Sequence, residues 1–446
     1  MMLRSIWTWI LNKVFHVSTE TRQKEVEDNY KYAVEYESID NINFNAIFSN
    51  KLSNYTISDS NLNITGDNKR VDLLNMTGQS MWKKAKKITS MAFGYGGVFL
   101  VPYVKGNKLF YSVIPQSRVT IDKTEGDLIT GLTILAERKE ISQGIGNTKV
   151  YIRWTNYRLE NGNCVIEQKF SDETGKELKT VPDFWKNIMI KNTITNVDRA
   201  LLGFIKSPVN NRKSNDKYGV PITYGCDATV SEIKETMKQL LEEFRLKRPF
   251  VGVDATMFNG NNALPLNGLF KKIDATNDDF FEVFDPAFRS YTERLQELYK
   301  RLEDEIGTSR GIISEMQTQN ATATEIKRAM YDTFNIVDDM RSNIEKGLED
   351  FFYACNVLAN AYNLSPQGDY ELDFDWSYSL LEDTQAEWSQ LIVAEGKGIM
   401  SKAELRQWLR PDETIEDSKK AIEEIAKDQP SVEDILGTRD KENNEY

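Results

Sequence analysis

The stretch from Thr322 to Leu364 constrains this chain most, because it reads as one very long helix entered from a polar loop. Apolar residues recur there at helical spacing, as Ile326, Met330, Phe334, Val337, Ile344, Leu348, Phe351, Cys355, Leu358 and Tyr362. One face is therefore buried along its whole length. Thr322 followed by Glu325 forms a capping box, hydroxyl and carboxylate each satisfying a free backbone N–H at the helix start. A helix of roughly 40 residues runs about 60 Å, longer than a small domain is wide, so it crosses a boundary between domains or subunits. Gly347 in its middle costs about 1 kcal/mol relative to Ala and invites a bend. Two helices split near Gly347 are the alternative.

The 446 residues are enough for two to four domains with a substantial core, and 40% apolar with 28% charged residues is ordinary for a folded protein. A net charge of -12 argues against a simple nucleic-acid clamp, which neutralises phosphates with a basic face, so any DNA contact is local or weak. Cys164, Cys226 and Cys355 lie far apart in no metal-ligand spacing, which fits a reducing compartment without disulfides. No apolar run has the length of a membrane span. Leu3, Ile6, Trp7, Ile10, Leu11 and Val14 can line one face of a helix; packing on its own domain is the expectation, a membrane surface the alternative.

A polar, Asn-rich stretch from Asn41 to Asn68 precedes a helix expected over Val71 to Phe93, whose Lys83, Lys84, Lys86 and Lys87 read as a solvated face. Gly94-Tyr95-Gly96-Gly97 then leads into a strand, Val98 to Val104. Alternating segments follow near Leu109 to Ile114, Leu128 to Glu137, Lys149 to Tyr157 and Cys164 to Phe170, forming an antiparallel meander. Its turns are marked at Gly106-Asn107, Gly126-Asp127, Gly162-Asn163 and Thr174-Gly175. After a loop, Pro208 to Tyr218, a helix carries Val230, Ile233, Met237, Leu240, Leu241 and Phe244 on one face. Short apolar pieces fill Pro249 to Phe284. Asp285 as N-cap and Pro286 at the first helical position open another helix, with Phe288, Tyr291, Leu295, Leu298, Leu302 and Ile306 on one face, ended by Gly307. Beyond the long helix come a strand, Tyr370 to Trp376, and three short helices, Leu381 to Glu395, Lys402 to Leu409 and Ile415 to Ala426, before a polar tail.

Little here points to catalysis. The lone His16 leaves no material for a Ser/His/Asp triad or a His-rich metal site. The glycines at 94, 96 and 97 follow a helix and precede a strand, the reverse of a phosphate-cradling order, and no Gly-x4-Gly-Lys-Ser/Thr loop exists. Asp373 and Asp375 point to one side of a strand and can share a divalent cation, although a solvated strand face is the simpler reading. Glu303, Asp304 and Glu305 fall on adjacent helical faces and do not converge as an acid and base pair.

Taken in order, these pieces resemble the portal proteins of tailed bacteriophages, especially those with long non-contractile tails. The resemblance is carried by Ala92-Phe93-Gly94-Tyr95-Gly96-Gly97-Val98, by Val113-Ile114-Pro115 with Arg118-Val119 as a strand pair, and by Lys206-Ser207-Pro208 with Asn210, Asn211, Gly219 and Val220. Its strongest part is Leu302 to Glu325, where Ile306-Gly307 ends a helix, a polar loop follows, and Ala321-Thr322-Ala323-Thr324-Glu325 starts the long one.

The resemblance implies an α+β subunit of a ring, usually of twelve copies, around a channel for double-stranded DNA at the capsid vertex. On that pattern residues 1–222 are the N-terminal part of an α/β wing, 223–248 and 286–306 a two-helix stem, 249–285 a small α/β clip, and 307–321 a tunnel loop. Residues 322–378 complete the wing with the long helix, 379–428 form a short helical crown, and 429–446 a flexible tail. Thr308, Ser309, Arg310, Ser314, Gln317, Thr318, Gln319 and Asn320 would face DNA from the loop, and Glu297, Lys300, Arg301, Glu303 and Glu305 would line the channel. Asp254, Phe258, Asn259, Lys271 and Lys272 would dock the terminase large subunit and the head-completion or adaptor protein. Major capsid and scaffold proteins are the further partners. The resemblance implies a virion protein assembled in the host cytoplasm, with no enzymatic activity, no cofactor and no membrane. Two rival readings are a metal-dependent nucleic-acid enzyme built on Asp373 and Asp375, and a minor capsid or scaffold protein without a channel.

Overall fold

A computed structural model describes residues 20–39, 42–142, 148–212, 217–246, 251–254, 270–273, 288–315, 323–376, 384–410 and 413–428. The expected first helix, Met1 to Phe15, lies outside these residues. The described chain is mixed α and β. It divides into two compact units, one of residues 1–321 with 328–376 and one of residues 322–327 with 377–446.

The first unit begins with α1 (Glu20–Glu37) and α2 (Phe44–Ile57). The second of these lies inside the Asn-rich stretch that gave no helix in the sequence. Asn43 caps it by accepting from the Ala46 N–H at 2.9 Å, and Phe44, Phe48 and Leu52 are buried beside small polar Asn45, Ser49, Ser53 and Thr56. Next come β1 (Asn61–Thr65), α3 (Lys69–Trp82) and α4 (Ala85–Tyr95). The single helix expected over 71–93 is thus two. Lys84, at φ -109 and ψ 6, leaves helical geometry, which sends Trp82 against Trp376 and buries Ile88, Ala92 and Phe93.

β2 (Gly97–Lys105) and β3 (Lys108–Pro115) form a hairpin whose Gly106 and Asn107 both have positive φ, as a tight two-residue turn requires. The expected meander is split: its segments from Leu128 onward become β5 (Leu128–Ser142), β6 (Thr148–Glu160) and β7 (Asn163–Asp172) of a five-stranded antiparallel sheet completed by β4 (Val119–Glu125) and β8 (Lys191–Thr195), while Val98–Val104 and Leu109–Ile114 lie outside it. A separate three-stranded sheet has the order β3-β2-β9, with β9 spanning Gly203–Lys206. Val113-Ile114-Pro115 therefore ends β3 in this sheet, while Arg118 closes a 3-10 turn and Val119 opens β4 in the other, so the two are not a strand pair. The glycine turn after α4 meets the 219–220 segment directly. Gly96 is left-handed at φ +87, a Cβ on Gly219 would stand 1.8 Å from the Gly96 carbonyl oxygen, and buried Gln116 holds Gly219 in place by bonding both its N–H and its carbonyl.

α5 (Asp227–Leu246), the parallel pair β10 (Val251–Asp254) and β11 (Phe270–Ile273), and α6 (Phe288–Ile306) come next, then α7 (Ala323–Ala361) and β12 (Glu371–Asp375). α7 is 39 residues long and runs unbroken through Gly347. The glycine serves close packing instead of a break, because a Cβ there would lie 2.7 Å from Ile205 and 2.9 Å from the Phe204 carbonyl on β9. Val337, Ile344, Leu348, Phe351, Cys355 and Leu358 are buried as the period required, Met330 and Phe334 are half-buried, and Tyr362, past the helix end, is exposed and accepts from Asn192. The capping residue Thr322 lies outside the described residues. β12 returns to pair antiparallel with β1. All three cysteines are buried and unbridged.

The second unit holds α8 (Thr384–Gly396), α9 (Lys402–Leu409) and α10 (Ile415–Asp428). Ser401 and Glu404 cap α9 reciprocally, Arg406 grips Glu413 through two bonds of 2.8 and 3.1 Å, and Trp388 stacks on Trp408 at 5.7 Å.

Candidate functional site

Helices α5 and α6 pack through Val230, Ile233, Met237 and Leu240 on one side and Leu295, Leu298, Tyr299, Leu302 and Ile306 on the other. The 3.6-residue period in the sequence specifies this contact, but Leu241 and Phe244, which it places on the same face of α5, are exposed. The outer surface of the pair is charged, and two of its arginines, Arg294 and Arg301, are already engaged. Arg294 bonds Glu232 on the facing helix, Arg301 reaches Glu232 at 3.7 Å and Glu305 at 2.9 Å, and Thr229 donates to the same Glu305 at 2.8 Å. Glu232 and Thr229 had not been singled out from sequence. An acid on one helix facing two arginines spaced seven apart on the next was the available signal.

Gly307, left-handed at φ +85, ends α6 as expected, and the N–H groups of Gly307 and Thr308 both return to the Glu303 carbonyl at 3.0 Å. The three consecutive acids then go three ways. Asp304 holds Arg310 through bonds of 3.1 and 2.8 Å, and this guanidinium keeps the Asp304 carboxyl below the usual carboxylate range. Glu305 serves Thr229 and Arg301. Glu303 turns inward and is fully buried, where its carboxylate accepts from the N–H groups of Gly311, Ile313 and Ser314 at 3.2, 2.5 and 3.0 Å and from the Ser314 hydroxyl at 2.6 Å. A buried carboxylate with four donors folds the start of the loop around itself. The loop is also fastened to α7. Ser309 N–H donates to Thr333 Oγ1 at 2.9 Å and Thr333 N–H donates to Ser309 Oγ at 3.1 Å, both residues being buried.

These contacts correct part of the expected site. Glu303 is an internal anchor and cannot line a channel, and Thr308, Ser309 and Ser314 are buried in the root of the loop, not offered to a ligand. Arg310, Glu297, Arg301 and Glu305 are exposed, and Lys300 is half-buried. Gln317, Thr318, Gln319 and Asn320 lie outside the described residues, as do Phe258 and Asn259. Of the remaining three expected docking residues, Asp254 ends β10 and Lys271 and Lys272 lie on β11, opposite Gly252 and Val253.

Asp373 and Asp375 do share the exposed face of β12, together with Glu371. Across the ribbon stand Asn63 and Asn61. Among the described residues no three His, Cys, Asp or Glu side chains come together as a metal site. Among the same residues no helix is long and apolar enough to cross a membrane.

A family model described as phage portal protein, SPP1 Gp6-like, matches residues 24–432. Among solved structures, a chain described as "Neck of native GTA particle computed with C12 symmetry" is similar over 82% of this chain and 89% of that one, at 13% identity and a TM-score of 0.38, a likeness too loose to carry weight. No curated protein matches the sequence.

Proposed function

Because the chain belongs to the SPP1 Gp6-like family of phage portal proteins, we propose that twelve copies close into a ring at one vertex of the capsid, around a channel through which double-stranded DNA enters and leaves. Residues 1–222 and 322–378 form the wing, 223–248 and 286–306 the stem, 249–285 the clip, 307–321 the tunnel loop and 379–428 the crown. The clip, through Asp254, Phe258, Asn259, Lys271 and Lys272, docks the terminase large subunit during filling and the head-completion protein afterwards. Major capsid and scaffold proteins surround the ring in the virion. The role is structural, and no bond is made or broken by the subunit.

The family match over residues 24–432 carries this reading. The chemistry of the helix pair is consistent with it. Transport fails if lysines and arginines hold phosphates tightly, since each neutralised phosphate adds counterion-release affinity. Here Arg301 and Arg310 already have carboxylates, so each must give up a partner to touch DNA. Exposed Glu297 and Glu305 are paired in turn, with Arg294 and Arg301, so this surface offers a passing duplex little net charge to hold it. Lys300 supplies an exchangeable contact, and Arg310, Gln317, Thr318, Gln319 and Asn320 are the loop groups that meet the backbone.

Mass measurement of the purified assembly with end-on electron microscopy tests the proposal. A closed ring with a central hole wide enough for a duplex is expected. A protein that stays monomeric under all assembly conditions, or an assembly without a hole, overturns it.

A further inference from the structure

The break between α3 and α4 creates a cleft that the reading above does not use. Its volume is about 860 Å³, and it lies between α2, α4 and β3. Lys84, Lys86 and Lys87 line it, with Tyr111 and the amides Asn50 and Asn54. Among the described residues no Asp or Glu lines it, although the whole chain has 68 acidic against 56 basic residues. Lys83, Lys84, Lys86 and Lys87 are exposed, and among the described residues none has a carboxylate within ion-pair reach. The Lys84 ammonium lies over the Tyr111 ring at 5.4 Å, a contact that holds the charge at the rim without neutralising it. Four like charges in five residues, with no acid lining the cleft among the described residues, concentrate positive potential in one place.

We propose that this lysine cleft is a seat for the phosphate backbone of double-stranded DNA, separate from the channel. The inference rests on the portal reading, which supplies the duplex. Ammonium groups on flexible stems act as point charges and suit sequence-independent contact with successive phosphates, and among the described residues no arginine lines the cleft to grip a carboxylate in a forked pair. A duplex repelled by a protein of net charge -12 finds here a local patch of opposite sign. The cleft holds DNA, whereas the stem lets it slide.

The test is a fluorescence-anisotropy titration of the full-length assembly with two short duplexes of unrelated sequence, from about 50 to about 200 mM salt. Three neutralised phosphates contribute about 0.9 each to the slope of log affinity against log salt. Replacing Lys84, Lys86 and Lys87 together by Gln is expected to lower that slope by about 2.7 for both duplexes, while Lys105→Gln with Lys108→Gln, on the β2–β3 turn, leaves it unchanged. Duplex is also expected to protect Lys86 and Lys87 from acetylation in the unaltered protein. An unchanged slope in the cleft variant, equal losses in both variants, or no protection overturns the proposal. Displacement of duplex by poly-glutamate at matched charge assigns the cleft to an acidic peptide and overturns it too. Images of the same preparation separate the outcomes: a missing hole defeats the ring, while a flat response in an intact ring defeats only the cleft.

Discussion

On the helix pair and its loop, Arg294, Arg301 and Arg310 each lie against a carboxylate, whereas the run from Lys83 to Lys87 has none within reach among the described residues. Both regions are exposed and dense in charge, so exposure does not explain the difference. Local neutrality does. Charges matched within the chain brace the fold and have little left for a ligand, while unmatched ones contribute nothing to folding and remain free for a polyanion. Density of charge in a sequence is therefore a poor guide to binding unless the partners are known.

The sharpest break for this comparison is Glu303, the matched charge on which most donors converge. Glu303→Ala leaves the Ile313 and Ser314 N–H groups and the Ser314 hydroxyl without their acceptor in a buried site, the Gly311 N–H keeping only Ser314 Oγ, and is expected to cost about 3–5 kcal/mol, read as a shift in the denaturation midpoint. Glu303→Gln keeps one acceptor but turns a donor toward the N–H groups, so it should fall between. A midpoint equal to that of the unaltered protein would mean that the loop root is not held by this carboxylate.

Thr333→Val comes next. It removes the acceptor for the Ser309 N–H, in a pair buried on both sides, and is expected to lose about 1–3 kcal/mol, with Thr333→Ser restoring most of it. If the valine variant instead matches the unaltered protein, the loop and α7 are not coupled at this point. Proteolysis of the loop, monitored in the same variant, should accelerate as its root loosens.

How much of this was legible in the sequence depends on whether period or partnership carried the information. The α5 and α6 contact, the end of α6 at Gly307 and the buried stripe of α7 follow from spacing alone, and the structure holds all three. α2 was hidden because its inward face mixes Phe44, Phe48 and Leu52 with Asn45, Ser49 and Ser53, small polar groups that count as loop by composition yet are buried. Glu303 looked like one more surface acid on a charged helix. Its role is set by N–H groups eight to eleven residues later, whose positions depend on a loop that no local pattern describes. Thr333 sat in a long helix as an ordinary polar residue, and nothing in the sequence marked it as the partner of Ser309. The lysine run was visible, but its lack of acids could be seen only once the neighbouring elements were in place.

The gentlest test acts on the exposed pair Asp304 and Arg310. The Arg310 hydrogen bond lowers the Asp304 pKa in the folded protein below the ordinary value of about 3.9. Below that ordinary value the unfolded chain therefore binds more protons than the folded one. The stabilisation is complete above the ordinary pKa and is lost as pH falls through the depressed one. Asp304→Asn should accordingly flatten the acid limb of the midpoint-against-pH curve while changing little at neutral pH, and added salt should shrink the difference because the pair is exposed. An acid limb unaltered by the substitution would show that this match is nominal. Arg310 would then be as free as the lysines of the cleft, and the loop would be expected to grip DNA instead of releasing it.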